Sequence, residues 1–164
     1  MVIRRHPLRF FIVFTCACLA SLLFAIVPLS PALSPLRPEL VCLVVFFFLL
    51  YCPQYLSLAL VFFVGLLQDL VELGIWGAHA FALVMSAYII LSAEHRLRSY
   101  GVWRQTLWIS VLIGLHQVLV NWVQGLAGYA VAPHVLLCSV LSTSIFWPFM
   151  YLLAPKLLRL LRLA

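Results

Sequence analysis

Charge is what this 164-residue sequence has least of: Asp and Glu together number four, and charged residues make up 9% of the chain. With 66% hydrophobic residues and a mean hydropathy of +1.19, too little polar surface remains to coat a water-soluble globule. A solvated enzyme or binding module is thereby excluded. The composition specifies an all-α integral membrane protein, expected as a single polytopic membrane domain over residues 1–164.

Catalytic motifs are also missing. No HExxH, G-x-S-x-G, phosphate-cradling glycine loop or CxxC pair occurs, and four acids with five scattered histidines give little material for acid–base work. Cys16, Cys18, Cys42, Cys52 and Cys138 fall within or beside apolar runs, without metal or redox spacing, and read as small apolar residues. The expectation is a protein that is not an enzyme, with no cofactor, no metal and no nucleic-acid partner.

What is present is a series of apolar runs, at about residues 10–27, 39–52, 55–71, 78–92, 103–127 and 135–154. Arg4, Arg5 and Arg9 precede the first, which lacks a small-x-small cleavage site and ends at Pro28, so it reads as a retained span. The second lies between Pro38 and Pro53. At about 1.5 Å per residue it is too short for a hydrocarbon core about 30 Å thick, unless the bilayer thins, neighbours bury it or flanking residues extend it. The alternative is a re-entrant hairpin turning at "CPQY", which leaves four full spans.

Basic residues bear on the choice. Six spans with both termini cytoplasmic place Arg4, Arg5, Arg9, Arg96, Arg98, Arg104, Lys156, Arg159 and Arg162 inside and Arg37 alone outside. Five spans would put a basic terminus outside. Four would tend to turn the "EHRLRSYGVWR" loop outward, so six spans is the favoured count. The longest outer connector carries Pro28, Pro31, Pro35 and Pro38, a spacing that favours an extended crossing. Lys156, Arg159 and Arg162, spaced i, i+3, i+6 among leucines, form a basic tail. With Arg96, Arg98 and Arg104 they make a candidate cytoplasmic basic face, either a lipid anchor or a docking surface.

Two polar groupings stand out. In "GLLQDLVELGIWGAH", Gly65, Asp69 and Glu72 share a helix face at i, i+4, i+7, with Gln68 beside them. A carboxylate below the interface needs a partner. The candidates are backbone N–H groups of the turn, where Gly74 and Gly77 permit close approach, the positive N-terminal end of the next helix, and His79. The structural reading is that Asp69 fastens the turn; the functional one is a proton or cation relay through Asp69 and His79, disfavoured because no acid lies deeper in another span. The fifth run carries a seam of Ser110, Gly114, Gln117, Asn121, Gln124 and Gly128, with His116 beside it. Such a seam suits packing within the bundle, a helix from another protein, or a water-lined path. Tryptophans and tyrosines fall largely near the ends of runs, as interfacial belts do.

From about Arg37 onward the sequence resembles the MreD family of bacterial rod shape-determining membrane proteins. The likeness rests on "LRPEL" (Arg37, Pro38), on "GLLQDLVELGIWGAHAFAL" (Gly65, Asp69, Gly77, His79) and on "FWPF" (Trp147, Pro148). Departures are Leu73, with glycine following only at Gly74, and Glu72. The resemblance implies a six-span helical bundle similar to the S components of energy-coupling-factor transporters. It also implies a non-catalytic inner-membrane role in cell elongation, with MreC as partner and RodA, a class B penicillin-binding transpeptidase, the MreB system and membrane lipids around it. A scaffold that packs other membrane helices is the leading expectation. A small-molecule or lipid carrier, with polar groups converging on a pocket near Asp69 or His79, is the alternative.

Overall fold

In a computed structural model the described residues, 7–28, 30, 34–129 and 131–160, form six α-helices and no strand. They are α1 Pro7–Ile26, α2 Leu40–Tyr51, α3 Leu58–Val71, α4 Ala78–Ser99, α5 Val102–Leu126 and α6 Pro133–Leu160. Five helical stretches are long and apolar enough to cross a membrane, α2 among them when the segment from Ser34 is counted with it (Ser34–Tyr51); α3, with 14 residues, falls short. Arg4, Arg5, Pro31 and Arg162 lie outside the described residues.

The helix ends follow local chemistry. Proline supplies the first residue of α6, where its missing N–H costs nothing. Ser57 caps α3, its hydroxyl accepting from Leu60 N at 3.2 Å. The "CPQY" segment forms a single 3-10 turn, Pro53–Tyr55, between α2 and α3. Two helices run beyond the apolar patterns: α4 continues to Ser99 and takes in Arg96 and Arg98, and α6 continues through Pro148 and Pro155 to Leu160. A helix end is set by backbone hydrogen bonding, whereas hydropathy marks only the part suited to lipid.

α2 is the centre of the bundle. Every residue from Val41 to Leu50 is buried, and the helix packs against α1, α4, α5 and α6. A helix apolar on all sides suits a site with protein all round it. α1 contributes one stripe, Phe10, Phe14, Cys18 and Leu22, at a spacing of four. Phe10 sits edge-on to Phe48 at 5.5 Å and stacks on Tyr55 at 4.6 Å. Cys18, Cys42 and Cys52 are buried, Cys138 is half-buried and Cys16 is exposed.

α3 and α4 approach most closely at Gly65. A Cβ there would lie 2.4 Å from Ala80 Cα and 2.7 Å from Ala80 N, so only glycine lets the two backbones meet. At the opposite end, fully buried Gln105 ties three helices. Its Nε2 donates to Leu97 O at 2.9 Å, while its Oε1 accepts from Trp147 Nε1 at 3.2 Å and from Tyr51 OH at 3.3 Å. Trp147 thus packs inside the bundle instead of at an interface.

Candidate functional site

Three of the four acids, Glu39, Asp69 and Glu72, come together at one end of the bundle, where α2 and α4 begin and α3 ends. Asp69 is fully buried. One carboxylate oxygen accepts from Gly77 N at 2.8 Å and Ala80 N at 3.4 Å; the other accepts from His79 N at 2.9 Å and meets His79 Nδ1 at 2.8 Å. The N-terminal N–H groups of α4, which Gly77 at φ 94° cannot cap with a side chain, therefore find their acceptor in the preceding span. Negative charge here also complements the helix dipole. Among the positive-φ residues of the turn is Leu73, at φ 52°, while Gly74 donates its N–H to Asp69 O at 3.1 Å.

Beside this turn lies a cavity of about 190 Å³ bordered by Arg37, Glu39, Glu72, His79, Gln117, Asn121, Gln124 and Ser139. Gln68 donates from one amide nitrogen to Glu39 Oε2 at 3.1 Å and Glu72 Oε1 at 2.9 Å. Burial, followed by the charge of Glu39, pushes the Glu72 carboxyl up from its ordinary range. Arg37, at the cavity's edge, donates Nη2 to Phe24 O at 3.3 Å and Val27 O at 3.0 Å and so closes the C-terminal end of α1. Pro38 follows and leads into α2, and Glu39 N donates to Thr143 Oγ1 at 2.9 Å, joining α2 to α6.

The polar seam of α5 divides along its length. Gln117, Asn121 and Gln124 border the cavity: Gln117 donates to Ser139 Oγ at 3.1 Å, Ser139 donates on to Arg37 O at 3.0 Å, and Asn121 Oδ1 accepts from Val131 N at 2.7 Å. Ser110 instead donates to Thr106 O of its own helix at 2.8 Å, and Gly114 has no atom near enough to require glycine. Gly128 lies in the turn after α5 with φ 85°. His116 is fully buried, its ring 6.0 Å from that of His79, and neither of its ring nitrogens has a hydrogen-bond partner.

The other end is basic. Arg9, Arg96, Arg98, Arg104, Lys156 and Arg159 are exposed there, with Arg104 4.5 Å above the Tyr100 ring. Sequence reasoning missed Glu39, Gln105, Ser139 and Thr143. Glu39 carried a signal, as one of four acids standing just after Pro38 at the head of an apolar run. Gln105, Ser139 and Thr143 carried none, because their partners are on other helices.

The family model described as rod shape-determining protein MreD matches residues 5–157. The rod shape-determining protein MreD of Haemophilus influenzae is 26% identical over 159 residues, covering 97% of this chain and 98% of that protein. No solved structure matches. With apolar helices throughout, the "GLLQDLVELGIWGAH" turn assembled around Asp69, and a family match over nearly the whole length, the chain belongs to the MreD family of rod shape-determining membrane proteins.

Proposed function

We propose that this chain is a non-catalytic scaffold of the cell-elongation machinery in the bacterial inner membrane, with both termini in the cytoplasm. It packs against the single span of MreC and stands with RodA and a class B transpeptidase, so that peptidoglycan synthesis follows the MreB system. No bond is made or broken; the work is differential helix packing. The orientation is supported by the separation of Arg9, Arg96, Arg98, Arg104, Lys156 and Arg159 from the acidic end.

The observation that carries the docking role is the outer face of α6. Leu137, Leu141, Ile145, Phe149 and Leu152 are each more than 60% exposed at spacings of four, four, four and three, a continuous apolar ridge along one side of the helix. Photo-crosslinking probes at Leu141 and Ile145 should capture MreC in membranes. Probes at Gln117, Asn121 and Gln124, the α5 seam that borders the cavity, test the other candidate docking face. Crosslinks from the α6 ridge to lipid alone would remove the docking role from this face.

A second reading, a carrier of a small molecule or lipid, is favoured by one observation, the convergence of charged and amide groups on the cavity beside His79. Mass spectrometry of the chain extracted gently from membranes tests it: a bound small molecule that Asn121→Leu abolishes would displace the scaffold as the leading reading.

A further inference from the structure

The acidic end holds more negative charge than its neighbours balance. Arg37 brings one positive charge and donates Nη2 to α1 carbonyls, and Asp69 commits both oxygens to the start of α4. Glu39 and Glu72 remain, joined through a single Gln68 amide nitrogen. A neutral amide cannot offset two carboxylates.

His79 faces two of these carboxylates, Asp69 and Glu72. Asp69 engages Nδ1 at 2.8 Å, which makes Nδ1–H the donor and turns Nε2 toward the cavity. There it faces Glu72 Oε2 at 3.5 Å. At that separation a positive charge stands between the two atoms, either a proton on Nε2, which makes the ring an imidazolium paired with Glu72, or a bound cation that takes the proton's place. Donor atoms of Glu39, Glu72 and His79 all lie within 4.8 Å of one another.

A second, independent sign comes from Gln68. The residue is 1% exposed and aims its amide between the two carboxylates, yet its Oε1 is buried without a hydrogen-bond partner. A half-turn of the amide carries Oε1 to the carboxylate side. With a cation there the exchange supplies a ligand oxygen; without one the amide nitrogen bridges the two carboxylates, as it does here.

We propose that Glu39, Glu72 and His79 Nε2 form a binding site for a divalent cation of the zinc class, with Gln68 Oε1 available as a fourth ligand. A mixed imidazole and carboxylate set suits zinc over the harder magnesium. Zinc–ligand distances of about 2.1 Å imply ligand–ligand separations of roughly 3.4 Å in a tetrahedron. The His79–Glu72 pair already stands at 3.5 Å, and the Glu39 donor lies within 4.8 Å of both. The Asp69–His79 contact is the outer partner that fixes a ligating imidazole and raises its basicity. The bound ion joins the start of α2, the end of α3 and the start of α4. The site is independent of the scaffold reading, because binding is measured on the isolated chain.

The test uses the full chain, purified in detergent, stripped with chelator and titrated with zinc or magnesium chloride. One zinc per chain should survive desalting and raise the melting temperature, with magnesium unable to compete. The double variant Glu39→Gln/Glu72→Gln should bind at least about tenfold more weakly, while Glu94→Gln, at the basic end, binds as the parent does. Less than about a tenth of an equivalent of zinc in the parent, or undiminished binding in the double variant, overturns the proposal. X-ray absorption of the zinc-loaded parent decides the matter even if the double variant fails to fold. One imidazole with oxygen ligands supports the site; sulfur, or more than one imidazole, refutes it.

Discussion

Asp69 meets three backbone N–H groups and one imidazole with a single carboxylate, so its removal leaves several buried donors without acceptors. Each such donor costs on the order of 1–3 kcal/mol. The Glu72 side chain is 28% exposed and shares only Gln68 and the His79 contact. In cells dependent on the variant, Asp69→Ala should therefore widen and round the cell more than Glu72→Ala at matched protein levels. Equal effects, or a worse Glu72→Ala, would refute the fastening role. Leu73 offers the opposite case. It is 88% exposed and holds φ 52°, a left-handed conformation that costs a leucine about 1 kcal/mol and a glycine almost nothing. Leu73→Gly should raise the melting temperature, and a lower one would mean that the side chain has a partner. Asp69 was legible because its partners lie within eleven residues along the chain. Glu39 was not, because Gln68 is 29 positions away and no local pattern joins them.

At the scale of helices, glycine has two different meanings in this fold. Gly65 is where α3 and α4 touch backbone to backbone, so Gly65→Ala forces them apart at a cost of about 2–3 kcal/mol. Gly114 has open space, and Gly114→Ala should be neutral or stabilising by up to about 1 kcal/mol through helix propensity. Melting curves of the two variants check both signs, and matching losses would contradict the close approach at Gly65. The polar spacing of α5 looked like one seam because periodicity reports a face and not what the face meets. Asn121 borders a cavity whereas Ser110 bonds back to its own helix, and only the placement of α6 and of the segment before α2 separates the two. Helix existence was legible from apolar runs. The tail of α4 through Arg98 was not, since charge hid a continuing backbone ladder.

Across the whole molecule, charge is sorted by end. Arg37, Glu39, Asp69 and Glu72 gather at one, while Arg9, Arg96, Arg98, Arg104, Lys156 and Arg159 occupy the other with Glu94 nearby. That sorting was readable from alternation of the runs alone, because a helical bundle reverses direction at each short connector. If basic residues set the orientation, replacing Arg96, Arg98 and Arg104 together by Gln should give a mixture of topologies, read by a reporter fused to the C-terminus. A single unchanged orientation would show that the remaining charges suffice.

The seclusion of α2 has a consequence for biosynthesis. With 12 residues it spans about 18 Å, well short of the hydrocarbon core, and its surface is covered by α1, α4, α5 and α6. Three of those four leave the ribosome after it. A nascent chain that has reached only α3 can leave α2 against lipid, but its packing partners are complete only once the C-terminal half arrives. Insertion and final packing of this protein are therefore separate events, and premature termination before α6 leaves the central helix without part of the protein surface it is built to meet.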